Sequence, residues 1–304
     1  MANSKDDAAW GNFWAQTANR STTTHNGGCL PQRWAEIEKA QQKCWLEFIK
    51  DLEGRAKLLD LATGDGRVLR WMIGARDDLD LIGIDLAPQL PLPPKGTETR
   101  GGVSMEDLPF DDNTFIAVVS QFGFEYGDVT KVASEIARVL APAGRVGLMV
   151  HRGDGPILEH NLARREQLLW ALKEKAVARR AKVALKAKFG GIDRAAKAAA
   201  DIAAEGAQRF GQESPAWEIP EAIRRSVLMG QRAGIASITD TIGAIDDQAK
   251  NELGRINSLA RACATADARD VIIAAFESHG LALQATQTIA EPSGRELADF
   301  ITFA

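Results

Sequence analysis

The sequence has 304 residues, of which 45% are hydrophobic, and a formal net charge of −4. This length allows one large domain or a domain with a cap, and the apolar content suffices for a packed core. No apolar run approaches the roughly eighteen residues of a membrane span, no signal-peptide core follows Met1, and the charge gives no indication of DNA binding. We therefore expect a cytoplasmic protein without a transmembrane segment.

Cysteine usage agrees with a reducing compartment. Cys29, Cys44 and Cys263 are few, odd in number and widely spaced, so they predict neither a zinc site nor a disulfide framework. No cluster of His, Cys, Asp and Glu in the sequence suggests a metal, and we expect none.

The first 53 residues predict two amphipathic helices. Trp10, Phe13 and Trp14 are spaced i, i+3, i+4, which places them on one face of a first helix. That face either covers a ligand cleft as a lid or packs on the core, and the pattern does not decide between the two. Residues 31–53 predict the second helix, which Gly54 ends.

Short apolar strands alternate with helices from residue 57 to residue 151. This alternation predicts an α/β fold with a right-handed, doubly wound sheet. Helices are predicted at 66–74 and 128–140. The first five predicted strands are 57–61, 79–84, 99–103, 114–122 and 145–150, the last ending at His151.

The turn after the first strand indicates a ligand. Gly64 and Gly66 allow the backbone to approach a bound molecule closely, and the amino end of the next helix favours polar and anionic groups. Asp85 ends the second strand, where a carboxylate can accept hydrogen bonds from both hydroxyls of a ribose. Together they predict an adenosine-containing cofactor.

The details of the turn narrow the choice of cofactor. A dinucleotide fingerprint needs a third glycine where Leu69 stands, and no Gly-Lys-Ser/Thr follows to make a phosphate-binding loop. A ligand with adenosine but no pyrophosphate fits better. S-adenosylmethionine is such a ligand.

Four segments at normal spacing carry a family resemblance. The chain resembles the class I S-adenosylmethionine-dependent methyltransferases, and within them the small-molecule branch that includes ubiquinone and menaquinone biosynthesis methyltransferases. The segments are Asp60–Gly66, Ile82–Ala87, Met105–Phe115 and Glu135–Arg145. Two departures from the family pattern are alanines in place of glycines, at Ala62 and Ala143.

The resemblance implies a seven-stranded, mostly parallel, Rossmann-like sheet and a set of cofactor contacts. Met105 and Glu106 are expected to border the adenine. The residues expected to contact the cofactor are Asp60, Ala62, Thr63, Gly64, Gly66, Asp85, Leu86, Met105, Glu106 and Gln121.

The pattern changes after the fifth strand. Residues 156–265 contain no convincing strand and read as several helices, broken near 190–191, 215–220 and 230–234. The family's last helix resumes at 267–279. Strand six at 281–289 and strand seven at 295–303 follow, the latter antiparallel by resemblance.

The helical block therefore interrupts one domain between strands five and six. We expect residues 1–53 to form an amino-terminal helical lid. Residues 54–151 and 266–304 should form the cofactor-binding core, and residues 152–265 a helical cap over the active-site end of the sheet.

The block contains a basic stretch. Residues 164–197 hold eleven basic and three acidic residues. Long charged helices often present a solvated face only. The alternative is a patch for an anionic substrate, a carrier phosphate or an acidic membrane surface.

Candidate catalytic residues follow strands four and five. His151 ends strand five at the cleft edge, and a histidine suits a general base because it titrates near neutral pH. Glu125 and Tyr126 lie in the loop that borders methionine and substrate in the family. His25 lies in a polar segment that folds over the cofactor or is disordered, and we favour disorder.

These observations predict methyl transfer to oxygen, nitrogen or carbon of a small molecule or peptide, including anionic ones. One alternative is an RNA or protein methyltransferase that uses the basic helices. The loop 121–126 lacks the Asp/Asn-Pro-Pro-Tyr/Phe motif of enzymes that act on base amines. A second alternative is a non-catalytic methyltransferase-like binding protein, against which the intact Gly64, Gly66 and Asp85 argue. A homodimer is compatible with the sequence.

Overall fold

The computed structural model describes residues 4–19, 35–291 and 293–304. His25, Cys29 and the predicted start of the second helix lie outside these residues. The chain divides into two compact units. The first, here called the sheet unit, comprises residues 1–158 and 258–304, and the second, the helical unit, comprises residues 159–257.

The sheet unit is built on one seven-stranded sheet with the order β3-β2-β1-β4-β5-β7-β6. Strands β3 to β5 are mutually parallel along this order, whereas β7 is antiparallel to both of its neighbours. The predicted doubly wound, mostly parallel sheet is confirmed. The strands are β1 Lys57–Leu61, β2 Asp80–Asp85, β3 Glu98–Gly101, β4 Phe115–Gln121, β5 Leu140–His151, β6 Leu283–Ala290 and β7 Glu296–Phe303.

The described residues also form ten α-helices and short 3-10 or π turns at 124–126, 170–174 and 230–233. The helices are α1 Ser4–Ala18, α2 Ala35–Ile49, α3 Arg67–Ala75, α4 Val129–Val139, α5 Pro156–Leu169, α6 Val177–Leu185, α7 Gly191–Phe210, α8 Pro215–Met229, α9 Gly234–Asp267 and α10 Arg269–Glu277.

Two hydrophobic clusters account for the layered arrangement of the sheet unit. Parallel strands covered on both faces read as nearly continuous apolar runs, as β4 does. One cluster joins side chains of the sheet to Trp45 of α2 and Met72 of α3. The other joins the sheet to Ile136 of α4 and Phe276 of α10. The core therefore lies on both sides of the sheet, which leaves the carboxyl ends of the strands for a site.

The fifth strand begins earlier than expected. The prediction of a start at residue 145 is wrong, because Leu140 already pairs with Phe115. The ladder then shifts, so that Arg145 pairs with Ala117 and the turn between residues 141 and 144 leaves the regular pairing. The Pro-x-Gly pattern in the sequence predicts the turn but not the earlier start of the strand, because that start depends on pairing with β4.

The helical unit has a core of its own. Trp170, Leu185, Ile202, Ile223 and Ile242 belong to one buried cluster. Alanine and glycine at the contact between α7 and α8 allow close packing: a Cβ at Gly206 would collide with the backbone of Ala216. The helical unit thus has its own hydrophobic core, as a separate compact domain requires.

The helix breaks in this unit lie near the predicted glycines and prolines. Gly190 and Gly234 adopt φ angles of 65° and 88°, a region that glycine enters without steric cost. Pro215 opens α8, where the missing N–H is not needed. Within the described ranges, no helix combines the length and the low polarity that crossing a bilayer requires.

Candidate functional site

The turn between β1 and α3 is held in a left-handed conformation. Ala62, Gly64 and Gly66 have φ angles of 55°, 54° and 66°. The amide of Thr63 donates to the carbonyl of Ile84 at 2.8 Å, which fixes the turn beside the end of β2. Glycine suits the last two positions, whereas a left-handed alanine costs roughly 1–2 kcal/mol. The turn is therefore narrow, with its backbone available to a ligand.

Asp85 connects the turn to the second strand. Its Oδ2 accepts a hydrogen bond from the amide of Gly64 at 3.0 Å, and its Oδ1 accepts one from the amide of Ala87 at 2.9 Å. The side chain is buried. Each carboxylate oxygen keeps a further lone pair, so the group can still accept from a ligand hydroxyl.

Three acidic side chains lie around this turn, of which Asp60 and Asp85 are buried and Asp65 is partly buried. Burial raises the pKa of Asp60 to about 7, against the stabilising hydrogen bond that Thr63 Oγ1 donates to it at 2.6 Å. Burial also raises the pKa of Asp65 and that of Asp85. A cation at the turn would favour the charged form of all three carboxyl groups.

A second group of polar residues lies at the ends of β4 and β5. His151 Nδ1 lies 2.7 Å from Glu125 Oε1, and the His151 amide donates to the same oxygen at 3.0 Å. Both residues are buried. A carboxylate only accepts, so in the tautomer with the proton on Nδ1 this nitrogen donates to Glu125 and Nε2 is left as an acceptor.

Backbone and ring contacts hold this pair. Ser120 Oγ donates to the carbonyl of Leu61 at 3.0 Å and accepts from the amide of Phe124 at 3.0 Å, which fixes the start of the loop that carries Glu125. The Phe122 ring lies against the imidazole, with centroids 4.3 Å apart. The orientation of the histidine is thus set by both a carboxylate and an aromatic ring.

Helix α1 lies across the ends of β1, β2 and β4. The Trp14 ring packs against Gly64 so closely that a Cβ there would collide with it. The Trp10 ring meets Tyr126 edge-on at 5.8 Å, and the Tyr126 ring lies 6.1 Å from that of His151. The aromatic face of α1 therefore covers the predicted cofactor turn and the loop with Tyr126. The spacing of Trp10, Phe13 and Trp14 was the signal in the sequence, but it did not specify the partner.

Other predicted cofactor residues have partners of their own. The Trp45 indole donates to Gln121 Oε1 at 2.6 Å. Glu106 Oε1 accepts from the amide of Asp128 at 3.0 Å, so this carboxylate is engaged at the start of α4. Leu86, at the end of β2, is half exposed.

The structure thus brings most of the predicted residues into two neighbouring groups. Met105 lies with Glu106 near the start of α4, where a Cβ at Gly127 would meet its side chain. The residues on or directly beside the turn are Asp60, Ala62, Thr63, Gly64, Gly66, Asp85 and Leu86. The roles of all these residues remain predictions, as do those of Glu125, Tyr126 and His151.

The central segment matches a known family. Residues 59–148 match the family model described as a methyltransferase domain. A demethylmenaquinone methyltransferase of Thermus thermophilus is 36% identical over 98 residues, covering 30% of this chain and 44% of that protein. A ubiquinone/menaquinone biosynthesis C-methyltransferase of Syntrophotalea carbinolica is 35% identical over 104 residues, covering 31% and 44%. The chain spans less than half the length of these relatives.

Solved structures show a weaker likeness. A 1,6-didemethyltoxoflavin-N1-methyltransferase of Burkholderia thailandensis has a TM-score of 0.47 and 11% identity, covering 100% of this chain and 90% of that one. The assignment therefore rests on the domain match and on the sheet order. These confirm the resemblance to class I methyltransferases that the four motifs predicted.

Proposed function

We propose that this chain, whose residues 59–148 match a methyltransferase domain, transfers a methyl group from S-adenosylmethionine to a small-molecule acceptor. The observation that carries the proposal is the link between the Gly64 amide and the Asp85 carboxylate, at 3.0 Å. It places a narrow glycine turn beside a buried acceptor for hydroxyl groups. A nucleoside needs this combination at the ends of adjacent parallel strands.

The electrostatics of the turn fit this cofactor. S-adenosylmethionine supplies an electrophilic methyl group on a positively charged sulfonium. Of these three acids, the partly buried Asp65 lies 3.7 Å from Arg67, and the described residues offer no ion pair for the buried Asp60 or Asp85. A cationic ligand would therefore relieve the desolvation of the two unpaired carboxyl groups.

The chain's own residues would hold and orient the cofactor. Asp85 would accept from the ribose hydroxyls, and the amides of the turn would face the methionine part. Met105 and Glu106 would border the adenine, with Leu86 and Gln121 at the edges. The enzyme would act mainly through proximity and orientation, as methyl transfer is an in-line displacement.

His151 is the proposed base for an acceptor that must lose a proton. Its Nε2 would accept that proton, and Glu125 would stabilise the resulting imidazolium through the contact at 2.7 Å. Tyr126 would border the acceptor beside the imidazole. Two of the relatives are named for demethylmenaquinone and for quinone biosynthesis, which favours a small molecule over RNA or protein.

The cofactor assignment is tested by calorimetry with S-adenosylhomocysteine. Asp85→Ala should weaken binding by about 1.5–3 kcal/mol, the scale of a hydrogen bond to a charged group. Asp80→Ala is the matched control, because Asp80 begins the same strand at its opposite, exposed end. Unchanged affinity in Asp85→Ala would refute the assignment.

The proposed base is tested by turnover with reduced demethylmenaquinone as the probe acceptor. His151→Asn should lower kcat by about a hundredfold or more, and Glu125→Gln should lower it less, because the histidine remains. Both variants should bind S-adenosylhomocysteine as the unchanged protein does. If His151→Asn keeps full activity with this probe, the histidine is structural.

A further inference from the structure

Large apolar side chains on the surface are concentrated at one place in the helical unit. The described part of the chain has nine large hydrophobic residues that are exposed, and five of them lie between residues 183 and 235. Phe189 and Met229 are the most exposed of these, at 75% and 83%. The five are Val183, Phe189, Leu228, Met229 and Ile235.

The helix connections bring these residues to the same end of the unit. A short link, 186–190, joins α6 to α7, and 211–214 joins α7 to α8, so consecutive helices run in opposite directions. The end of α8 therefore lies near the start of α7. Gly230 packs on Ile238, which places the start of α9 at this end as well. We call this end, residues 182–194 and 228–235, the basic tip.

The tip carries cations without acidic partners. The cations are Lys182, Lys186, Lys188, Arg194 and Arg232. In the described ranges, none of these five forms an ion pair, whereas Lys250 and Arg225 elsewhere on the unit do. Lys188 Nζ lies 5.6 Å from the centre of the Phe189 ring. Asp193 is the acid within residues 182–194.

The two glycine turns of the tip are open to solvent. A Cβ added at Gly190 or Gly234 would meet nothing within 4 Å, so both turns project away from the bundle. Val183 lines a pocket with Lys182, Lys186 and Asp246, whereas Phe189 and Met229 stand largely exposed at helix ends among the lysines. A protein partner would need a continuous, well-packed patch. Separate apolar side chains ringed by cations instead match an interface of acyl chains and anionic headgroups.

We propose that the basic tip docks on the surface of an anionic lipid bilayer. Phe189 and Met229 insert at the level of the headgroups, and the five cations contact lipid phosphates. The attachment is peripheral and reversible. It uses none of the residues proposed for methyl transfer, which all lie in the sheet unit.

Flotation of the full chain with vesicles tests the proposal. The probes are phosphatidylcholine vesicles with about a third phosphatidylglycerol, and pure phosphatidylcholine vesicles. The chain should float with the anionic vesicles only, and high salt should release it because screening weakens attraction to headgroups. Lys186→Gln with Lys188→Gln should lower the partition coefficient by about twenty-five-fold, roughly fivefold per cation.

Matched variants separate the contributions. Phe189→Ser with Met229→Ser should also reduce flotation, and both side chains are exposed enough for the fold to tolerate the change. Lys43→Gln and Val271→Ser, an exposed cation and an exposed apolar residue of the sheet unit, should float like the unchanged protein. Thermal melts check that every variant is folded.

Three outcomes would overturn the proposal. The first is no flotation, or equal flotation with neutral vesicles. The second is flotation that the tip variants leave unchanged. The third is a concentration-dependent dimer in light scattering that Phe189→Ser with Met229→Ser abolishes, which would make the tip an interface between two copies of this chain.

Discussion

At the scale of single residues, the sequence revealed the members of the site but not their pairing. Gly64, Gly66 and Asp85 could be grouped because the ends of adjacent parallel strands meet at one edge of a sheet. The contact between Glu125 and His151 could not be predicted. It depends on the register of β4 and β5, in which Gln121 lies opposite Met149.

Two alanines show what a family pattern conceals. Ala62 and Ala143 replace glycines of the resembling family, and both adopt left-handed φ angles, 55° and 61°. The fold therefore keeps the backbone that glycine favours and bears the steric cost. The methyl group of Ala62 also requires a glycine at position 123, since a Cβ at Gly123 would collide with it. The sequence alone identified the alanines that replace glycines. It did not show that the backbone keeps its left-handed conformation at these positions.

The raised pKa of Asp60 gives a prediction about pH. Its folded value of about 7 exceeds the ordinary value, so its contribution to stability is present at acidic pH and is lost as the pH rises towards 7. A cationic cofactor favours the ionised carboxyl group, so binding should release a proton. Affinity for S-adenosylmethionine should therefore rise with pH up to about 7, by at most about tenfold per unit.

Calorimetry in buffers of different ionisation enthalpy measures that proton release. Asp60→Asn should release fewer protons on binding, and its affinity should depend less on pH. Part of the pH dependence should remain, because burial raises the pKa of Asp65 and that of Asp85 as well. An Asp60→Asn variant with the same proton count as the unchanged protein would show that Asp60 does not titrate on binding.

At the scale of elements, those of the sheet unit were predicted more closely than those of the helical unit. The apolar runs of β1, β2 and β4 located these strands to within two residues. In the helical block, the sequence located only the breaks between helices. The apolar faces of its alanine-rich helices are weakly marked in the sequence and become evident only where the helices pack against each other. The contact between Gly206 and Ala216 that joins α7 to α8 has no local signature.

Helix α1 gives the element-scale prediction. The Trp14 ring lies on Gly64, so a cofactor that approaches the turn must move this helix or pass beneath it. We expect α1 to act as a lid. Trp14→Ala should then speed both association and release of S-adenosylhomocysteine severalfold, with a smaller change in affinity.

Surface plasmon resonance measures both rates. Trp217→Ala, which alters a tryptophan of the helical unit, is the control for the loss of an indole. If Trp14→Ala leaves both rates unchanged, the helix does not gate the site. If it only weakens affinity through faster release, Trp14 instead contacts the bound cofactor.

At the scale of the whole molecule, charge and function are divided between the two units. Residues 164–197, with eleven basic and three acidic residues, lie within the helical unit, although the chain as a whole has a net charge of −4. All seven strands and every proposed cofactor residue lie in the sheet unit. The predicted boundaries of the cap, 152–265, differ from the compact unit by several residues at each end, because α5 and α9 begin or end within the sheet unit.

This division allows the role of the helical unit to be tested by excision. Ile157 and Leu158 belong to the same hydrophobic cluster as Leu259 and Cys263, so a short Gly-Ser linker can replace residues 159–257 without separating buried side chains of the sheet unit. We expect the shortened chain to bind S-adenosylhomocysteine with nearly unchanged affinity. Turnover of the acceptor should collapse if residues 152–265 form the predicted cap, because a cap excludes water and fixes the acceptor.

Calorimetry for the cofactor and turnover with reduced demethylmenaquinone give the two readouts, and a thermal melt shows whether the sheet unit remains cooperative. Loss of cofactor binding in a folded, shortened chain would mean that the helical unit completes the cofactor site itself. Retained turnover would mean that it takes no part in acceptor selection. In that case the basic tip would be its main function, and flotation with anionic vesicles should be lost in the shortened chain while catalysis persists.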